Sequence, residues 1–221
     1  EVDMASAQAL ADALGDHTKA YKADVSKYEE VEKLVEAVVG DFGQLDVMIN
    51  NAGLSREYSL IDMTGEQFEQ LWRVNVEGVL FGMQVAAKQF IKQGHGGKII
   101  SAASIGGYRV QPKHAGYSAT KFAVRSLTQA AARELGQYNI TANCYCPGYT
   151  MTPMMVDIVK NLSEQLNVSQ EELIAAKSQE IALKRPAYPE DIAKAVSFMA
   201  SDKSDYMNGQ ALIIDGGVVY K

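Results

Sequence analysis

The chain has 221 residues, 47% of them hydrophobic and 22% charged, which suits a single soluble α/β domain with a sizeable core. Its 21 Lys and Arg stand against 27 Asp and Glu, a formal net charge of −6, and no long basic run interrupts that balance, which argues against nucleic acid or an anionic membrane as the main partner. No apolar run approaches the ~20 residues of a membrane span, no secretory leader pattern opens the sequence, and the expectation is a cytoplasmic protein.

In chain order, short β-branched runs alternate with helical patterns. T-K-A-Y-K-A-D-V (18–25) reads as a strand, and V-E-K-L-V-E-A-V-V (31–39) as a helix with one apolar face. L-D-V-M-I-N (45–50) is a compact apolar strand ended by N-A-G, and a long helical region covers roughly 64–93. A glycine turn and another strand follow in G-H-G-G-K-I-I-S-A-A-S (94–104). Residues 114–136 form an alanine-rich helix, and I-T-A-N-C-Y-C (140–146) is a strand stopped by Pro147-Gly148. An interrupted helical stretch spans 153–184. Pro189 opens a last helix through about Ala200, with Glu190 and Asp191 in its first turn. A-L-I-I-D-G-G (211–217) is the final strand. This alternation predicts right-handed crossovers and a mostly parallel, doubly wound, Rossmann-like sheet with helices on both faces, in a single domain over 1–221.

Cys144 and Cys146 lie two apart in a strand, with Cα atoms ~6.5–7 Å from each other, at or beyond the limit for a disulfide. Two buried free thiols in a reducing compartment are expected. No cluster of His, Cys and carboxylates has the spacing of a metal site.

In a doubly wound sheet, ligands bind beyond the carboxyl ends of the strands. Those positions hold Asp24, N-N-A-G (50–53), Ser104 with I-G-G, and P-G-Y-T-M-T-P (147–153). Each alone is ordinary turn chemistry, but four successive strand ends of this kind mark a ligand cleft. Next to them, in H-A-G-Y-S-A-T-K-F (114–122), Tyr117 and Lys121 share a helix face at i and i+4. A free phenol has pKa ~10, and a neighbouring ammonium favours its ionised form. The pair is therefore either two ordinary helix residues or an acid with the cation that tunes it. Ser104, thirteen residues earlier, can reach the same point and hydrogen-bond an oxygen that gains charge during reduction.

Together, Asn75 in R-V-N-V-E-G (73–78), Ser104, Tyr117 with Lys121, N-N-A-G and P-G resemble the short-chain dehydrogenase/reductase family, in the expected order over essentially the whole chain. The resemblance implies a catalytic set of Asn75, Ser104, Tyr117 and Lys121. Tyr117 is then the acid/base, Ser104 positions the substrate carbonyl, Lys121 lowers the phenol's pKa and holds the nicotinamide ribose, and Asn75 orders a water leading to solvent. It implies NAD as cofactor, with NADP also compatible. Asp24 and Val25 would flank the adenine, Asn51, Ala52 and Gly53 shape the cleft, and Pro147, Gly148, Tyr149 and Thr152 lie along the nicotinamide. By the same resemblance Asn50 also shapes the cleft, and the alternative for it is that it mainly braces neighbouring strands. A homotetramer is implied as well.

The family's glycine-rich phosphate loop does not occur in these residues. E-V-D-M-A-S-A-Q-A-L (1–10) reads as the end of the family's second strand and the helix after it, so about 30 residues of a βαβ unit are expected ahead of Glu1. Glu1 then either stands near the acidic position that takes the ribose 2′-OH of NAD and repels a 2′-phosphate, or is a solvated residue at the start of the helix. Residues 1–221 by themselves are expected to fold poorly and bind no dinucleotide.

The segments G-H-G-G-K-I-I, Y-S-A-T-K-F-A-V-R-S-L-T-Q-A-A-A-R-E-L, Y-C-P-G and S-D-Y-M-N-G-Q-A-L-I-I-D-G-G resemble the branch acting on diacetyl, acetoin and 2,3-butanediol. That branch implies a small uncharged carbonyl or alcohol, held by Ser104, Ile105, Gly106, His114, Tyr117, Gly148 and Met154. Small apolar walls and adaptable methionines suit such a substrate, and core packing accounts for the methionines equally well. His17 and His95 are assigned no role, and His114 either faces the pocket or starts the helix. Two other readings stay open: a reductase of a sugar alcohol or a carrier-linked ketoacyl chain, and a catalytically idle relative that binds a nucleotide or a partner.

Overall fold

The computed structural model describes residues 3–220, apart from the side chains of Met154 and Asp157. The apolar spacing of the first segments forms α1 (Met4–Leu14) and α2 (Tyr28–Phe42), and α2 buries Val31 and Val35 one turn apart. Strand β1 (Val47–Asn50) leads to a helical stretch that starts at α3 (Gly65–Trp72), where Thr64 and Gln67 form a capping box. A π-helical turn (Arg73–Glu77) carries this stretch straight into α4 (Gly78–Gln93). There follow β2 (Gly97–Ala102), α5 (Ala115–Leu135), β3 (Ile140–Pro147), α6 (Pro153–Leu166), α7 (Gln170–Gln179), α8 (Pro189–Ala200) and β4 (Ala211–Ile214).

The sheet is fully parallel in the order β1-β2-β3-β4. Successive side chains point to opposite faces, and the core divides accordingly. Ile99, Ile140, Ala142 and Cys144 pack with Val31, Val79, Met83, Phe90 and Val124, which places α2, α4 and α5 on one face. Ile100, Ala102 and Tyr145 pack with Met199, Ile192 and Val196 of α8 on the other. The expected doubly wound architecture is the observed one.

One expected strand is absent. Residues 18–24 run without regular secondary structure and pair with no strand among the described residues. Extended backbone becomes a strand only when a neighbour takes its ladder hydrogen bonds, so the β-branched pattern alone does not suffice. Cys144 and Cys146 are free and fully buried, as expected. No helix among the described residues is long and apolar enough to cross a membrane, and no group of three His, Cys, Asp or Glu among them is placed to hold a metal.

Candidate active site

Ser104 and Tyr117 meet because a glycine turn docks on a helix. Beyond β2, Ser104 is extended and its Oγ accepts from Gly106 N at 3.0 Å, which closes the turn Ile105–Gly107. A Cβ on Gly107 would stand 2.9 Å from the Lys121 carbonyl oxygen, so only glycine lets this turn sit on the backbone of α5. Arg125 Nη1 ties the same turn by donating to the Gly107 carbonyl. A Cβ on Gly106 would lie 3.3 Å from Tyr117 Cε1 and 3.4 Å from Ser104 Oγ. The phenol ring and the Ser104 hydroxyl thus both stand against Gly106.

Lys121, one turn further along α5, is 4% exposed, and its Nζ lies 5.6 Å from the centre of the Tyr117 ring. Its recorded hydrogen bond goes to the Ala102 carbonyl at 2.9 Å. Burial lowers its pKa to about 8. Tyr117 moves opposite to the sequence expectation: burial pushes the phenol's pKa up, and the hydrogen bond from Ser104 only partly offsets this. Lys121 Nζ sits over the ring face and donates to the Ala102 carbonyl.

Asn75 is fully buried in the π-helical turn. Its Oδ1 accepts from Leu54 N at 2.7 Å, and its Nδ2 donates to the Leu54 carbonyl at 2.8 Å and to Thr120 Oγ1 at 3.0 Å. Thr120 in turn donates to the Tyr117 carbonyl at 2.6 Å. Asn75 therefore joins the loop after β1 to the helix that carries Tyr117, and its amide protons are both engaged. A Cβ on Gly53 would lie 3.3 Å from Asn75 Oδ1 and 3.5 Å from Lys121 Nζ, so the loop rests directly on both.

A cavity of about 920 Å³ opens in front of this group. Asn51, Ser104, Ile105, Gly106, His114, Tyr117, Pro147, Gly148, Tyr149 and Thr152 all line it. Its far wall is apolar and comes from Leu162 of α6, Leu173 and Ile174 of α7, and Ile192 of α8. Met155 lines it too, whereas the Met154 side chain lies outside the described residues. Gly148 is glycine for a packing reason besides any ligand: a Cβ there would come within 2.7 Å of Asp215 Cβ. His114 shows its ring edge to Tyr117 at 6.1 Å between centroids, and its Nδ1 is 3.1 Å from the Pro112 carbonyl.

Other sequence candidates stand elsewhere. The Asp24 carboxylate accepts from Ser26 N at 3.0 Å and Ser26 Oγ at 2.7 Å, and the Ser26 hydroxyl chiefly holds its pKa down. Val25 packs on α4, with Cγ2 2.9 Å from where a Gly78 Cβ would be. Neither they nor Ala52 line the cavity. Asn50 braces strands by donating to Ser101 Oγ at 3.2 Å. The expectation for Glu1 lies outside the described residues. Sequence reasoning missed Thr120, Tyr145, Gln111 and Lys177. Tyr145, whose hydroxyl donates to Asn51 Oδ1 and whose ring lines the cavity, stands two residues before the P-G turn and so was legible as a strand-end residue.

A nicotinamide nucleoside fits this chemistry. A buried ammonium has three N–H donors, and Lys121 spends one on Ala102. The remaining donors suit ribose hydroxyls, and Asn51 and Thr152 line the cavity, whose lining does not include Lys121 itself.

A family model described as enoyl-(acyl carrier protein) reductase matches residues 1–219. A diacetyl reductase [(S)-acetoin forming] of Staphylococcus epidermidis is 47% identical over 205 residues, 91% of this chain and 79% of that protein. A short-chain dehydrogenase/reductase of Armillaria gallica is 40% identical over 220 residues, covering 100% of this chain and 83% of its own. Among solved structures, the sorbitol-6-phosphate 2-dehydrogenase SrlD of Erwinia amylovora superposes with a TM-score of 0.93 at 28% identity, over 100% of this chain and 88% of that one. ElxO with NADP bound does so with a TM-score of 0.80 at 30% identity, over 90% and 77%.

Proposed function

Since the chain belongs to the short-chain dehydrogenase/reductase family, we propose that it is an oxidoreductase interconverting diacetyl, acetoin and 2,3-butanediol with NAD(H), in the cytoplasm. One observation carries the chemistry: Ser104 and Tyr117 both stand against Gly106 and line one cavity, with the buried Lys121 ammonium over the Tyr117 ring. The substrate reading rests on 47% identity to a diacetyl reductase over 91% of the chain. Glu1, an acidic residue the family resemblance sets near the ribose 2′-OH, favours NAD over NADP.

The bound nicotinamide supplies the hydride and, when oxidised, a positive charge beside the phenol. The protein's residues handle the oxygen. A ketone oxygen in the cavity accepts from Ser104 Oγ and from the Tyr117 hydroxyl, and these donors strengthen as negative charge develops there. Tyr117 then delivers its proton to that oxygen. Its raised pKa keeps it protonated at neutral pH, the state that reduction requires. In the alcohol-oxidising direction the same group must start as phenolate, so that direction gains as pH rises. Lys121 holds the ribose, while Asn75, through Leu54 and Thr120, and Tyr145, through Asn51, keep the walls in place.

The cavity exceeds a four-carbon ketone several-fold, as a site for two reactants requires. Ile105, Gly106 and Gly148 offer the ketone a small, uncharged wall. NADH absorbance followed with the full-length protein tests the reading. Turnover is expected with diacetyl and acetoin, at higher kcat/KM with NADH than with NADPH, and not with a ketoacyl thioester. Preference for the thioester would overturn the substrate assignment, and silence towards every ketone would overturn the reductase.

A further inference from the structure

Helices α6 and α7 supply the apolar far wall of the cavity, yet they pack chiefly on each other. Just after α7, the buried Ile181 packs at Gly216 and Leu183 N donates to the Gly216 carbonyl at 3.1 Å, and a second link, to the catalytic wall, runs through Tyr149. Gln111 Nε2, from the loop before α5, donates to the Tyr149 hydroxyl at 2.5 Å. Lys177 Nζ, from the last turn of α7, lies 4.4 Å from the centre of the Tyr149 ring. Ala187 N donates to the Tyr149 carbonyl at 2.8 Å, which fixes the backbone beneath the ring. Gln111, Tyr149 and Lys177 all face the cavity. Lys177 also pairs with Glu180 at 3.1 Å, an exposed contact within one chain segment that anchors nothing across the cavity.

We propose that Lys177 and Gln111 are positioning residues. Through Tyr149 they clasp α7 to the wall that carries Ser104 and Tyr117, and the clasp sets how tightly the substrate is held. A small uncharged ketone gives the protein few polar handles, so its retention depends on Leu173, Ile174 and Leu162 closing over it. An ammonium over a tyrosine face adds attraction without occupying substrate space. The part of this inference that concerns substrate rests on the reductase reading, whereas the clasp itself does not.

The test uses the full-length protein in two arms. Hydrogen exchange without ligands is measured across 153–179, with β2 and β3 as internal reference. Lys177→Met keeps the aliphatic stem and removes the charge. It is expected to speed exchange in α7 about three- to tenfold, the reach of one cation–π contact, and to leave the two strands unchanged. Lys177→Arg restores parental exchange, and Glu180→Gln, which leaves the ring contact intact, stays near parental. In the kinetic arm, Lys177→Met and Gln111→Leu raise KM for diacetyl by a similar factor and lower kcat by less. Unaltered exchange in α7 of Lys177→Met overturns the clasp. Faster exchange with an unmoved KM overturns its role in holding substrate. A parental protein silent towards ketones overturns the reductase reading instead, and the exchange arm still decides the clasp.

Discussion

At the scale of single residues, the site sets a half-buried phenol against a buried ammonium, and desolvation disfavours the charged form of each: it moves the pKa of Tyr117 upward and that of Lys121 down to about 8. Tyr117→Phe keeps the ring in its packing and removes the proton donor. Turnover is expected to fall about 10²–10⁴-fold with the thermal transition unchanged, and near-parental turnover would dismiss the phenol as the acid. Lys121 governs the alkaline side. It loses its proton as pH rises through about 8, so kcat/KM for ketone reduction should be level below that value and decline above it. Its effect on stability runs the other way. The unfolded chain keeps this lysine protonated to ~10.4, so between about 8 and that value the unfolded state binds the extra proton and stability rises with pH. Below that window the folded protein carries the full cost of a buried charge. Lys121→Met should therefore abolish turnover and raise unfolding stability at pH 7 by ~1–3 kcal/mol. A chemical denaturation series at pH 7 and pH 9.5 checks both signs, because the advantage of Lys121→Met should shrink at the higher pH.

At the scale of elements, the helical region expected over 64–93 exists, but its useful feature is the π-helical turn at Arg73–Glu77. The wider turn sits where Asn75 reaches inward to Leu54 and Thr120. Such turns recur at functional sites. Asn75→Ala should cost ~2–4 kcal/mol, because it leaves the half-buried Leu54 backbone groups and the buried Thr120 hydroxyl short of partners. The loss should appear as a lower urea midpoint, and a midpoint shift under ~0.5 kcal/mol would refute the bracing role. The sequence was legible here in proportion to how local the signals are. Apolar periodicity marked α2, α4, α5 and all four ladder strands, and Y-S-A-T-K with the upstream serine marked the acid and its neighbours. Non-local physics stayed hidden. Residues 18–24 carry strand composition yet lack a ladder partner among the described residues. The direction of Tyr117's shift depends on burial, which no i, i+4 spacing reports. The Gln111–Tyr149–Lys177 contact joins three segments up to 66 positions apart, and only the folded chain brings them together.

At the scale of the whole molecule, the doubly wound sheet leaves apolar side chains uncovered on both of its helical layers. Ile91 of α4 and Phe122 of α5 are each 43% exposed on one layer. On the other, Phe198 of α8 is 42% exposed. A surface of this kind on one face suits a two-fold pair, and two such faces on opposite layers suit a pair of pairs, since independent two-fold contacts combine into a closed tetramer. We infer a homotetramer held by these two faces. Phe122→Glu and Phe198→Glu each place a charge on one of these two faces, where burying it unpaired is costly. Each alone should reduce the tetramer to dimers, and the two together should give monomers, because each removes one of two separate contacts. Sedimentation equilibrium on the full-length protein distinguishes the outcomes. A monomeric parental protein, or a tetramer that survives both substitutions, would show that these side chains are exposed for another reason.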